Sequence, residues 1–151
     1  MVSNENMKTA IKRFWIVIIP LISCFGCQDD SLKHKEIPDG VYSGTFFRDA
    51  VWLDNEPTAN ITITFSSNKW SGVSDIIKYP ALCNGSYSMQ EDKVAFQNAC
   101  AWTAEFDWSL ILSGEYEIKS ISDSYIEFHR DYRSSTSDTY VDIYKLNRQN
   151  E

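Results

Sequence analysis

The residues best suited to bind a ligand lie together in one short stretch of the chain, residues 102–108. In this stretch the aromatic residues Trp102 and Trp108 flank the carboxylates Glu105 and Asp107. Aromatic planes stack on the faces of sugar rings, and carboxylates accept hydrogen bonds from hydroxyl groups. The stretch therefore predicts a site for a carbohydrate or another small ligand. A plainer interpretation is that the aromatic side chains plug one end of the fold while the carboxylates face water.

Residues for catalysis are scarce in this sequence. Glu105 and Asp107 would act as a glycosidase pair only if a loop held their carboxyl groups about 5–9.5 Å apart. The two histidines, His34 and His129, are too few for a histidine-rich metal site, and neither has the partners of a Ser-His-Asp triad. Phosphate-binding glycine loops and nucleophile elbows are also missing from the sequence. We therefore predict a protein that is not an enzyme and has no metal site or cofactor.

Two cysteines near the amino terminus, Cys24 and Cys27, form a C-x-x-C pair. In a cytosolic protein this spacing would suggest redox chemistry or half of a zinc site. Here it directly follows a basic segment and an apolar run at residues 14–22, which is too short to span a bilayer. That order is typical of a secretory signal, so we interpret both cysteines as part of the signal.

The sequence around these cysteines resembles the lipidation site of a bacterial lipoprotein. Gln28 and the acidic pair Asp29 and Asp30 follow Cys27, which resembles the acidic tag of Bacteroidetes-type lipoproteins that are exported to the outer face of the outer membrane. We therefore predict a lipoprotein signal peptide at residues 1–26, a lipidated Cys27, and a polar tether at residues 27–38. The segment before Cys24 also resembles a lipobox, so Cys24 is the alternative, and a cleaved signal without lipid stays open. A lipid anchor makes the membrane the first expected partner.

Composition and charge limit the classes of partner that can be expected besides the membrane. The 151 residues carry a formal net charge of -7, and such an acidic surface would repel a phosphate backbone. Nucleic acid is therefore excluded as an expected partner. Hydrophobic residues make up 43% of the chain and aromatic residues 14%, which favours a folded core over disorder.

Residues 39–148 are predicted to form an all-β domain. Ile61, Ile63 and Phe65 alternate with threonines, which is the pattern of a half-buried antiparallel strand. Similar runs lie at residues 41–47, 69–73, 82–89, 93–100, 108–113, 115–121, 125–130 and 140–146. About eight short antiparallel strands are close to the number that closes a small barrel, and closure removes exposed sheet edges.

One hairpin of this barrel is predicted in register. A turn centred on residues 91–92 places Tyr87 opposite Phe96 and Cys83 opposite Cys100. Opposed residues of an antiparallel pair bring their Cβ atoms close enough for a disulfide after a modest adjustment. Because the cell envelope is oxidising, we predict a Cys83–Cys100 disulfide, with two buried free thiols as the alternative.

The side chains expected to point inward are bulky. They are Tyr42, Phe46, Phe65, Trp70, Tyr87, Phe96, Trp108 and Phe128. Gly44, Gly72 and Gly85 are expected to leave space beside them, and Gly85 is also expected to have another side chain or backbone close to it. An eight-stranded barrel is just wide enough either to be filled by its own side chains or to hold one small ligand. Both interiors stay open at this point.

Several strand segments resemble small lipocalin-like lipoproteins of the calycin type. The resemblance is carried by residues 40–46, 70–72, 79–87 and 144–146, and it extends over most of residues 39–147. It implies a lipocalin-like up-and-down barrel with a ligand cavity at one mouth, and it fixes neither a ligand nor a catalytic motif.

These observations combine into one functional hypothesis and an alternative. The hypothesis is a surface-exposed outer-membrane lipoprotein that binds a small hydrophobic or carbohydrate ligand without catalysis. Its expected ligand-binding residues are Trp52, Trp70, Tyr87, Trp102, Glu105, Asp107 and Trp108. The alternative is a protein-interaction or inhibitor module that uses the acidic exterior and the loop at residues 52–57.

Overall fold

Eight strands make up most of the chain described by the computed structural model. The described residues are 36–50, 56–134 and 139–150, and every structural statement below refers to them. The strands are β1 (Gly40–Ala50), β2 (Ala59–Ser66), β3 (Lys69–Ser74), β4 (Asn84–Gln90), β5 (Lys93–Asn98), β6 (Gly114–Ile121), β7 (Tyr125–Asp131) and β8 (Tyr140–Arg148). None of the helices in this part of the chain has the length and apolar character needed to cross a membrane.

The strands form a closed antiparallel up-and-down barrel, as predicted. Each strand pairs with the next, and β8 returns to pair with β1. Strand β2 shows why the sequence folds in this way, since Ile61, Ile63 and Phe65 are buried while Thr62 and Thr64 lie on the outer face. Alternation of this kind gives a curved sheet an apolar inner face, and closure joins its two edges.

The β4–β5 hairpin has the predicted register and the predicted disulfide. Tyr87 lies opposite Phe96 and Gly85 lies opposite Asn98. Cys83 and Cys100 form a disulfide with a Cα–Cα distance of 6.4 Å. Because both cysteines lie just beyond the paired residues, the disulfide fastens the open end of the hairpin.

Aromatic side chains fill the interior of the barrel. The buried set comprises Tyr42, Phe46, Phe65, Trp70, Tyr87, Phe96, Tyr116, Phe128 and Tyr144. Phe96 packs near the middle of this set, with ring-centroid distances of 5.2 Å to Phe128 and 5.7 Å to Tyr116. The rings of Phe128 and Tyr144 stack at 4.7 Å. Of the two interiors left open by the sequence, the structure has the filled one.

The segment containing Trp108 differs from its prediction. Residues 108–113 were expected to form a strand with Trp108 pointing inward, but Trp108–Leu110 form a 3₁₀ helix and Trp108 is 56% exposed. The physical reason is a local cap. The Asp107 carboxylate accepts a hydrogen bond from the backbone N–H of Ser109 at 2.9 Å, which turns the chain at the point where a strand would have to extend.

The glycines that were expected to leave space instead mark close contacts between strands. A Cβ atom on Gly44 would collide with the backbone carbonyl of Lys145, and one on Gly85 would collide with the carbonyl of Gln97. Gly85 also lies under the indole of Trp70. These positions need glycine because neighbouring backbone lies against them.

Gly85→Ala is therefore expected to lower the free energy of unfolding by about 1–3 kcal/mol, since β4 and β5 would have to separate. Urea unfolding followed by tryptophan fluorescence measures this change. Ser86→Ala, on the exposed face next to it, is the matched control and is expected to change stability by less than about 0.5 kcal/mol. Equal effects of the two substitutions would contradict the close approach.

The two ends of the barrel are built differently. Tight turns at residues 67–68, 91–92 and 122–124 form one end, which Ile37 closes from the segment before β1. The two ends of the described chain meet there, because Arg148 donates a hydrogen bond to the Asp39 carbonyl at 2.5 Å. The opposite end carries the long connections at residues 75–83, 99–113 and 132–134, and we call it the loop end.

Candidate functional site

Two arginines point into the barrel at the loop end. Arg48 on β1 follows the inward-facing Phe46 by two residues, and Arg130 on β7 follows the inward-facing Phe128 by two. A strand repeats its facing every second residue, so both arginines lie on the inner face. Arg48 is only 7% exposed, which is unusual for a charged residue unless it is paired.

Arg48 is held by two carboxylates of different character. Its Nε and Nη2 atoms donate to the two carboxylate oxygens of Asp142 on β8, at 2.6 and 2.9 Å, and Asp142 is 1% exposed. Its Nη1 atom donates to Asp107 at 2.8 Å and to the Ser109 hydroxyl at 3.1 Å, and Asp107 is 53% exposed. The guanidinium therefore joins the barrel wall to the connection between β5 and β6.

The charges in this group are set by opposing effects. Burial raises the pKa of Asp142, although the hydrogen bonds and charge of Arg48 act in the opposite direction. Burial also opposes the charge of Arg48, but Asp142 outweighs it and raises the pKa of the guanidinium, which stays protonated. Partial burial would raise the pKa of Asp107, yet hydrogen bonds from Ser109 and the charge of Arg48 hold it below the ordinary value.

Arginine and tyrosine side chains alternate across the loop end. The Arg48 guanidinium lies 3.7 Å from the ring centroid of Tyr140, and the rings of Tyr140 and Tyr132 are 4.5 Å apart. The Arg130 guanidinium lies 4.7 Å from the ring of Tyr132 and 5.7 Å from that of Tyr116. We call these five residues the Arg–Tyr stack. Cation–π contacts of this kind contribute about 0.5–2 kcal/mol each when they are partly desolvated.

The expected ligand-binding residues do not form one cluster. Trp70 and Tyr87 lie in the filled core, where Trp70 donates to the Gln97 carbonyl at 3.2 Å. Trp102 donates its indole N–H to Asn98 at 3.1 Å, and its ring contacts that of Phe106 at 5.5 Å.

The other expected residues lie in or outside the described loops. Glu105 and Trp108 are exposed. The structure brings Asp107 together with Arg48, whereas Trp52 lies outside the described residues, as do the predicted lipidation sites Cys27 and Cys24.

Sequence analysis did not identify Arg48, Arg130 or Asp142. Each of them is a charged residue at an inward position of a strand, two residues from a buried aromatic side chain. A charged residue at a position where the alternation of the strand predicts an inward-facing apolar residue is the signal that would have identified them. The partner of Arg48 could not be found in the same way, because it depends on the pairing of β1 with β8.

A second polar cluster lies on the outer face of β7, where His129 was considered as a functional residue. Glu127 accepts hydrogen bonds from the Tyr125 hydroxyl at 2.7 Å, and the His129 ring contacts its other oxygen at 2.7 Å. Burial would raise the pKa of Glu127, but these contacts and Lys145 hold it below the ordinary value. Within the described ranges, no three His, Cys, Asp or Glu residues converge as metal ligands would.

The comparisons with known proteins add no relative. No family model, curated protein or solved structure matches this chain.

Proposed function

We propose that this chain is a surface-exposed outer-membrane lipoprotein whose lipocalin-like barrel binds a small ligand without catalysis, at the loop end and not in the interior. One observation carries this proposal. Arg48 holds one carboxylate from the rigid barrel wall and one from an exposed connection, while aromatic side chains fill the space below it. The expected site residue Asp107 is part of this arrangement.

The two carboxylates of Arg48 differ in how easily a ligand can replace them. Removing Asp142 from its buried pair would cost about 3–5 kcal/mol. Asp107 is half exposed, and an ion pair of that kind contributes about 1 kcal/mol or less. A ligand that offers an acidic or hydroxyl oxygen therefore exchanges with Asp107 at little cost, and Arg48 keeps Asp142 as its permanent partner. The ring of Tyr140 on the guanidinium face holds Arg48 in position during this exchange.

Asp107→Ala is expected to raise the affinity for such a ligand by about two- to fivefold, because it removes the internal competitor for Arg48. The measurement is a panel of lipids, sugars and haem, scored by tryptophan fluorescence and thermal shift. Asp49→Ala removes the same charge from an exposed position on β1 and is the matched control. A panel without any response, or equal affinities in the two variants, would contradict binding at Arg48.

The alternative, a protein-interaction or inhibitor module, is supported by a different observation. Ile77 is 89% exposed and Trp108 is 56% exposed, on two connections that are joined by a hydrogen bond from Ala81 N–H to the Leu110 carbonyl at 2.9 Å. Large apolar side chains exposed on adjacent loops are typical of protein interfaces. Capture of an envelope protein that Ile77→Ser and Trp108→Ser both abolish would favour this alternative.

A further inference from the structure

The barrel wall opens between β6 and β7 at the loop end. The two strands pair from Glu117 opposite His129 to Ile121 opposite Ile126. On the loop-end side of the Glu117–His129 pair the two strands separate. There residues 114–116 pair only with β5, and residues 130–131 pair only with β8. The separation forms a cleft of about 660 Å³, which we call the β6–β7 cleft. It is wide enough for a small organic molecule.

One cation in the β6–β7 cleft has no carboxylate partner. Three ion pairs line the cleft: Lys93–Glu115 at 3.3 Å, Lys119–Glu117 at 2.6 Å and Arg133–Asp131 at 2.7 Å. Arg130 forms no ion pair with any described residue, and its one hydrogen bond runs from Nη1 to the Ser113 carbonyl at 2.5 Å. A guanidinium has five N–H donors, so Arg130 retains donors for a ligand.

A buried hydroxyl near Arg130 also lacks a hydrogen-bond partner. Tyr116 is 2% exposed, its hydroxyl makes no hydrogen bond to the described residues, and the Arg130 guanidinium lies 5.7 Å from the centroid of its ring. An unsatisfied buried hydroxyl costs about 1–3 kcal/mol, so a group that accepts its hydrogen bond is stabilised there.

The protonation state of the Tyr116 hydroxyl suits a hydrogen-bond donor. Burial raises the pKa of the phenol, the nearby Tyr132 and Asp142 add to this effect, and the Arg130 guanidinium acts in the opposite direction without cancelling it. The hydroxyl is therefore protonated at neutral pH, and it donates its hydrogen bond to an acceptor on a ligand.

We propose that the β6–β7 cleft binds a small polar carboxylate, whose oxygens accept hydrogen bonds from Arg130 and from the Tyr116 hydroxyl. The planar guanidinium matches a planar carboxylate, and the ion pairs around the cleft favour a ligand with hydroxyl groups over an apolar one. The inference goes beyond the proposed function, because the cleft is a separate site whose donors differ from Arg48.

The test uses calorimetric titration of the full chain in detergent micelles with D-glucuronate, D-glucuronamide and glucose 6-phosphate. We expect D-glucuronate to bind about tenfold or more tightly than its neutral amide, because a charge-assisted hydrogen bond is lost in the amide. Equal affinities for the acid and the amide would overturn the proposal. Tighter binding of glucose 6-phosphate would also overturn it, since a phosphate would then be the preferred ligand.

Two variants locate the binding. Tyr116→Phe removes only an oxygen without a partner, so we expect unchanged or higher stability together with about tenfold weaker D-glucuronate binding. Arg130→Lys keeps the positive charge but loses the planar guanidinium that donates two parallel hydrogen bonds to a carboxylate. It is expected to weaken D-glucuronate binding by a similar factor. Arg148→Lys, at the opposite end of the barrel, is the matched control and is expected to bind normally. Normal binding by Tyr116→Phe would overturn the proposal.

The same titrations separate this inference from the proposed function. D-glucuronate binding that Tyr116→Phe weakens and Asp107→Ala leaves unchanged supports the β6–β7 cleft. Binding that Asp107→Ala strengthens and Tyr116→Phe leaves unchanged places the ligand at Arg48, which overturns the cleft and keeps the proposed function. A response to other ligands of the panel without any response to D-glucuronate also overturns the cleft proposal and keeps the proposed function.

Discussion

Replacing Arg48 with Met is expected to lower the free energy of unfolding by about 3–5 kcal/mol at neutral pH. The reason is the carboxylate that stays behind, since Asp142 is 1% exposed and would lose both hydrogen bonds from the guanidinium. The variant also loses the contact with Asp107 and the packing on Tyr140. Urea unfolding followed by far-UV circular dichroism and tryptophan fluorescence measures the change.

Two controls separate the buried pair from a general effect of removing an arginine. Arg148→Met removes an exposed arginine at the end of the barrel opposite the loop end, and it is expected to cost about 0.5 kcal/mol or less. The double variant Arg48→Met with Asp142→Leu removes both charges, and it is expected to recover most of the lost stability. A single variant that loses less than about 1 kcal/mol would contradict the buried role of Arg48.

The loss of unfolding free energy in Arg48→Met is also expected to depend on pH. Burial already raises the pKa of Asp142. Without Arg48 the hydrogen bond and the charge that most oppose this effect are gone, so the pKa rises further, although the charge of Arg130 still acts in the opposite direction. The folded variant then binds a proton that the unfolded chain releases, and its stability rises as the pH falls toward the ordinary pKa of an aspartate. The difference from the native chain should therefore shrink toward acid pH. A difference that grows toward acid pH would contradict this assignment.

The double variant Cys83→Ser with Cys100→Ser is expected to lose about 3 kcal/mol of unfolding free energy. The disulfide closes a loop with a sequence separation of 17, and the closed loop lowers the entropy of the unfolded chain, which raises its free energy by about 3 kcal/mol. It also ties the start of β4 to the connection that carries Asp107. Chemical denaturation of the oxidised chain and of the variant gives the difference.

A reducing agent provides the internal control for the disulfide. The native chain with dithiothreitol is expected to match the serine variant, and the variant itself should not respond to the reagent. If reduction leaves the denaturation midpoint of the native chain unchanged, the disulfide does not contribute to stability and the prediction is wrong.

Much of the barrel could be predicted from local pattern. Strands such as β2 alternate apolar and polar residues without interruption, and the tight turn after β4 fixes the register that brings Cys83 opposite Cys100. These features depend on neighbours in sequence, where period and turn chemistry are informative. The same reasoning failed at Trp108, where an apolar pattern of period two was overridden by the hydrogen bonds of Asp107.

The site was harder to predict because its contacts are long-range. Asp107 was identified as a candidate ligand-binding residue, but its partner Arg48 lies on the first strand and comes close only after the barrel closes. The sequence left the choice between a filled and an open interior undecided for a related reason. Tyr116 and Tyr144 were not counted among the inward side chains, and together with Phe128 they occupy the space that a ligand would need.

The meeting of Arg148 with Asp39 has a practical consequence for binding measurements on an immobilised chain. Because β1 begins and β8 ends beside each other, a carboxy-terminal affinity tag departs from the face opposite Arg48 and Tyr116. A sensor chip coated through that tag leaves the connections at residues 75–83 and 99–113 turned toward the flowing analyte. Orientation on the chip is thus set by strand closure, without further engineering.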